Sequence, residues 1–178
     1  AVRLSYFLWS APPDEALYQA AESETLKNSA ELRRQVDRML ADSRAEAFYD
    51  SFLSQWFELH RFDDIAVNPD EYLMFDEQVR YSAREEPIRL FEHLVKENLS
   101  LSKLIDSEFA MLDPLLAHFY GIEGVEGQGF RKVSLPPGSP RGGLLGTTAF
   151  MIMGSTGDRT SPIIRGTLVL DKFLHDPS

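Results

Sequence analysis

Apolar residues recur along most of this chain at helical spacing, and where they stop, a capping or breaking residue stands in the gap. Val2, Leu4, Phe7, Leu8 and Trp9 predict a short, heavily buried helix ending near Ser10. Ala11-Pro12-Pro13-Asp14 breaks it and opens a second helix with a narrow stripe of Leu17, Ala20 and Ala21. Residues 28–42 predict a third, with Leu32, Val36, Met39 and Leu40 on one face. Ser43 and Glu46 have the spacing of a capping box. The helix they would open carries Ala45, Phe48, Phe52, Trp56 and Leu59 as its stripe, thickened by Tyr49, Leu53 and Phe57. After a loop over 63–69, a long helix is predicted over 70–97, with Phe75, Val79, Ile88, Phe91, Leu94 and Val95 inward. Pro87 inside it predicts a kink or a split, because it removes one backbone bond and crowds the preceding turn. Ser100 caps a short helix, residues 109–112 read as extended, and Asp113-Pro114 starts a helix to Tyr120 that Gly121 closes in the left-handed conformation.

The texture changes at Gly121. Seven glycines and three prolines fall within residues 121–143, and Phe130, Val133 and Leu135 alternate as a short strand or hairpin would. A domain boundary is expected here, giving a helical domain over 1–126 and a smaller helical part over 127–178. Two closing helices follow from Arg141 to His175, separated by a Gly/Ser/Thr/Asp/Arg loop. Ser161 is a good N-cap and Pro162 suits the first helical position, so Ile163, Thr167, Leu170 and Leu174 form the expected inward face. Gly166 interrupts that helix at a cost of about 1 kcal/mol, which suggests close approach of another backbone. The fold class expected is all-α: an irregular multi-helix array with a Gly/Pro-rich connection and at most a short hairpin.

Composition narrows the function classes. A formal charge of −10 over 178 residues argues against general binding to nucleic acid, which needs basic surface to displace counterions. There is no cysteine, so disulfides, thiolate metal sites, thiol nucleophiles and covalent haem attachment within this chain are excluded. No run approaches the ~18 apolar residues of a membrane span. The chain opens on AVRLSYFLWS without Met, as a processed protein or an excised piece would.

Candidate chemistry is sparse. His60, His93, His118 and His175 are far apart and form none of the helical metal-ligand pairs. Glu85-Glu86 offers an acid/base candidate in Glu86, which lies before Pro87 in the middle of a core helix; a structural capping role is the competing reading. Asp63-Asp64 reads as solvated. Residues 138–148 resemble a phosphate loop only superficially, lacking the Lys and a preceding strand. Ser155, Thr160 and Ser161 have no local base. His118, at a helix C-terminus where the dipole favours the protonated ring, is the best isolated histidine. Arg159 and Arg165 flank a helix N-terminus, where they could hold a carboxylate or a haem propionate, or pin the loop to acidic helix ends.

The segments RLSYFLWSAPPDEAL, QVDRMLADSRAEAFYDSFLSQWFEL and LIDSEFAMLDPLLAHFYGIEGV resemble one uncharacterised domain of large secreted cytochrome c-like proteins of the planctomycete type. FRKVSLPPGSPRGGLLGTTAFMIMGSTGDRTSPIIRGTLVLDKFL resembles a second domain that follows it in those proteins. The shared pattern takes in Trp9, Trp56, His118, Tyr120, Gly121, Arg141, Gly143, Arg159, Thr160, Ser161, Pro162, Arg165 and Gly166. The resemblance implies a periplasmic or secreted multidomain protein with haem c in adjoining domains and none in this chain, which has no CxxCH. The resemblance does not say which of these residues are functional; the leading reading is a non-catalytic scaffold or interaction region, with Arg159, Arg165, His118 and Tyr120 as candidates for contact with a haem-containing partner or its propionates. Two alternatives stay open. One is an enzyme, linked to polysaccharide breakdown, with Glu86 or His118 in a pocket between the two parts; the other is a carbohydrate-binding module displaying Trp9, Trp56 or tyrosines.

Overall fold

The structure, a computed structural model, describes residues 1–174. His175, the last residue of the expected closing stretch, lies outside them. The described residues are mostly helical, and their sheet is a two-stranded antiparallel pair. The chain divides into two compact units, Ala1–Phe52 and Leu53–Ser178.

The first unit contains α1 (Val2–Trp9), α2 (Glu15–Glu22), α3 (Ser29–Leu40) and the start of α4 (Glu46–Trp56). Ser10 ends α1 with a positive φ of 51°, and Asp14 and Asn28 cap α2 and α3 through their side chains. Trp9 is the centre of this unit. It is 3% exposed, its indole N–H donates to the Met39 carbonyl at 2.9 Å, and the Arg44 guanidinium lies 3.5 Å from its ring centre. Asp14 accepts from Arg38 at 2.6 and 3.0 Å, and this bond holds its carboxyl below the usual range. The predicted capping box is replaced: Asp42, rather than Ser43, accepts the Arg44 N–H, and a 3-10 turn over Ser43–Ala45 precedes α4. Most of the predicted stripe is buried, Ala45, Phe48, Tyr49 and Leu53 among it, while Phe52 is exposed and Trp56 half-buried.

The second unit opens with Leu53, Phe57, Leu59 and Phe62, all essentially sealed from solvent. Glu58, at a φ of 54°, breaks the chain between α4 and α5 (His60–Asp64). Arg80 closes the C-terminal end of α5 by donating to the carbonyls of Phe62, Asp63 and Ile65 at 2.7–3.0 Å. The long helix α6 (Glu77–Lys96) starts later than predicted because the Asp76 carboxylate takes the N–H groups of both Gln78 and Val79. It runs on through Pro87 without splitting, and its buried face carries Val79, Ala83, Glu86, Pro87, Leu90 and Leu94.

Strand β1 (Phe109–Leu112) is wholly buried and pairs with β2 (Arg131–Ser134), Phe109 opposite Ser134 and Leu112 opposite Arg131. That pairing bridges the boundary expected between residues 126 and 127. Asp113 caps α7 (Pro114–Phe119), and Gly121, at a φ of 71°, lets the Ile122 N–H reach back to the Ala117 carbonyl at 2.8 Å. The last two helices, α8 (Thr148–Met153) and α9 (Pro162–Phe173), are capped by Thr147 and Ser161.

Two expectations for the closing stretch fail. Ile163 is 80% exposed, and Leu168 supplies the buried position on α9. Gly166 has nothing near the place a Cβ would occupy, so no backbone approaches it. The close approaches are elsewhere: a Cβ on Gly142 or Gly143 would overlap the carbonyls of Ser107 and Ile105. The two glycines should therefore respond oppositely to alanine in a denaturant titration. Gly166→Ala should stabilise by about 0.5–1 kcal/mol. Gly143→Ala, at a φ of 65° and against backbone, should destabilise by more than about 1 kcal/mol.

Candidate functional site

Glu86 occupies a position in the α6 stripe where the pattern calls for an apolar residue, and it is 3% exposed. A bare carboxylate there would be very costly, so the surroundings have to neutralise or satisfy it. Tyr120, just past the end of α7, donates its hydroxyl to Glu86 Oε2 at 2.5 Å. The same hydroxyl accepts the Thr148 backbone N–H at 3.0 Å. Thr148 begins α8, so that N–H is one a helix leaves unpaired. The chain of bonds thus runs from α8 through α7 to α6, each polarising the next.

Burial pushes the Glu86 carboxyl up to about 8, against the opposing pull of Tyr120, Arg141 and the Thr148 amide; Asp113 adds to the rise. Asp113 is itself held by Ser82, one turn before Glu86 on α6, at 2.5 Å. Burial and the neighbouring Glu86 push the Tyr120 hydroxyl well above its usual value. At neutral pH both groups keep their protons.

Arg141 lies over the Tyr120 ring with its guanidinium 3.9 Å from the centre, and donates to the Gly146 carbonyl at 3.1 Å. It makes no ion pair among the described residues. Arg141 and Thr148 also line a cavity of about 260 Å³ walled by Tyr72, Phe75, Phe119 and Met151. Glu86 and Tyr120 do not line it. One rim is the 66–75 loop and the other the 155–160 turn, tied together by the Asn68 N–H donating to the Gly157 carbonyl at 3.3 Å. A Cβ on Gly157, at a φ of 89°, would overlap the Ala66 carbonyl, so this rim needs glycine.

The sequence candidates are only partly brought together. Glu86 and Tyr120 meet; His118 is exposed on the end of α7. Arg159 is exposed on the rim turn, while Arg165 is half-buried, its stem packed over Gly154 and one nitrogen 3.5 Å from Met151 Sδ. His93 packs edge-on to Phe109, and His60 is exposed. Among the described residues no three His, Cys, Asp or Glu side chains converge as metal ligands. Arg141 entered the sequence reading only as part of the shared family pattern, and Thr148 had no role in it. The available signal for Arg141 was the Gly142-Gly143 pair after it, which presses the chain onto residues 105–107 and fixes where the arginine emerges.

Glu86 is more basic in the folded state than its ordinary 4.5, so the folded protein holds an extra proton between about pH 4.5 and pH 8. Its contribution is fully present below pH 4.5 and is lost as pH rises through 8. Glu86→Gln should remove that slope. The wild type should lose on the order of 2–4 kcal/mol relative to the variant between pH 5 and pH 8 in denaturant titrations.

Comparison with curated proteins of known function gives no match. Comparison with solved structures gives none either. A family model described as "PSD4: Protein of unknown function (DUF1592)" matches residues 1–122. That match spans well over half of the chain, and the protein therefore belongs to this DUF1592 family of unknown function.

Proposed function

We propose that this chain is a non-catalytic interaction region of an exported, cytochrome c-associated redox protein of the planctomycete type, packed beside a haem-bearing domain in the periplasm or outside the cell. The observation that carries the reading is the loop Tyr72-Leu73-Met74. Three consecutive large apolar side chains face solvent there, Leu73 at 85% and Met74 at 54% exposure. The exposure does not come from slack chain. The N–H groups of Glu71 and Tyr72 return to the Asn68 carbonyl, and the Phe75 N–H to that of Tyr72, so the apolar tip is presented on a hydrogen-bonded turn. Arg159 lies on the opposite rim, next to Asp158, whose carbonyl Tyr72 reaches at 3.5 Å. An exposed guanidinium beside an apolar tip suits a haem edge with its propionates.

The alternatives have less support. Glu86 has the raised pKa that an acid catalyst needs, yet its hydroxyl partner and the Thr148 amide stand where a substrate would have to be. Of the rings a carbohydrate platform would use, Trp9 is buried and Trp56 packs edge-on to Phe173 at 5.7 Å, while Tyr6, Tyr18, Tyr72 and Tyr81 are exposed.

Hydrogen–deuterium exchange of residues 70–76 tests the proposal, comparing the protein alone with the protein joined to its haem-bearing neighbour. Exchange there should slow at least tenfold in the joined state. Leu73→Asp should weaken association by about tenfold or more, roughly 1.4 kcal/mol, and Arg159→Ala by a few-fold. Unchanged exchange together with unaffected association by both variants would refute the assignment.

A further inference from the structure

We infer that the cavity between the 66–75 loop and α8 is a binding site for a small carboxylate with an aromatic or compact apolar body, its carboxylate on Arg141. This does not depend on the interaction role argued above. The cavity has the make-up of a ligand site: largely apolar walls with a few polar residues, Arg141, Thr148, Ser155 and Thr160, among them. Val67, Tyr72, Phe75, Phe119, Met151 and Ile152 form the walls. The Phe75 and Phe119 rings are 5.7 Å apart and tilted by 55°, leaving edges and faces for a further ring to pack on.

The polar end is Arg141. A guanidinium has five donors, and here the described bonds use one, to the Gly146 carbonyl, while the ring of Tyr120 supports one face. No carboxylate of the described residues pairs with it. Glu86, the acid whose charge it would otherwise meet, carries a proton at neutral pH, so the positive charge beside the cavity is left for an incoming anion. A neutral ligand would leave that charge unmatched, and a cation would be repelled by it. Thr148 also lines the cavity.

Size sets the class further. A cavity of about 260 Å³ is at the small end for organic ligands and takes roughly 10–15 non-hydrogen atoms, the size of an aryl or bicyclic monocarboxylate. A phosphosugar or a nucleotide would bring more charge than one arginine can meet. With one charged contact and so few atoms, Kd should be on the order of 0.1–1 mM.

The test is titration of the intact protein with 2-naphthoate and, in parallel, with neutral 2-naphthamide, followed by amide chemical shifts in two-dimensional NMR. Naphthoate should bind with shifts centred on Phe75, Phe119 and residues 148–155, and naphthamide at least tenfold more weakly. Arg141→Met should reduce naphthoate binding to the naphthamide level. Because Arg141 also braces Tyr120, Ile152→Phe serves as a second variant: it fills the cavity while keeping the arginine, and should weaken both probes at least tenfold. Equal binding of the two probes would overturn the carboxylate assignment. No binding below about 10 mM, or shifts confined to other surfaces, would overturn the site itself.

Discussion

A single ionisable side chain placed where the packing calls for an apolar one governs the second unit of this protein. Glu86 cannot shed its polarity, so its helix can be buried only if other segments bring donors to it. Tyr120 and the Thr148 amide do that, and in doing so they join segments separated by 34 and 28 residues in the chain. The hydrophobic stripe of α6 would accept many rotations of its neighbours. The bond chain from Thr148 through Tyr120 to Glu86 accepts far fewer, because each polar atom left unpaired would cost about 1–3 kcal/mol.

The glycine-rich connection serves the same end by a different means. Gly142 and Gly143 carry positive φ angles and press against the carbonyls of residues 105–107, where the Ser107 hydroxyl accepts the Gly143 N–H at 3.1 Å. The preceding residue is Arg141, and its guanidinium comes to rest on the ring of Tyr120. A segment that looks like a flexible linker is thus fixed at its end, and the fixed end delivers a cation to the cavity wall. Gly157 does the equivalent for the rim, where only the absence of a Cβ lets the 155–160 turn meet Ala66.

How much of this was legible in the sequence follows from the range of each interaction. Caps made by neighbours were readable: Ser100 and Ser161 cap where their spacing put them, and Asp113 caps the helix expected to start at Asp113-Pro114, whereas Asp14 and Asn28, read only as helix starts, are caps as well. Boundaries failed where two caps competed, as when Asp42 displaced Ser43 and Asp76 cut short the predicted start of α6. The face of α9 was misjudged and that of α4 was read in part, because both helices are apolar on more than one side and tertiary partners choose which side is buried; Phe52 and Ile163 ended outside. Gly166 shows the opposite limit, since its oddity in a helix signalled a contact that does not form. Glu86 was noticed for its place in a core stripe, but its tie to Tyr120 bridges 34 residues, and no local pattern encodes that.

The central claim is that a neutral, buried Glu86 holds the second unit's helices together. The most direct measurement is a 13C NMR titration of the glutamate side-chain carboxyls, with Glu86 assigned by its disappearance in Glu86→Gln. A Glu86 midpoint near 8, far above the other glutamates, is the result this account requires. A midpoint near 4.5, in the range of a solvated glutamate, would contradict it.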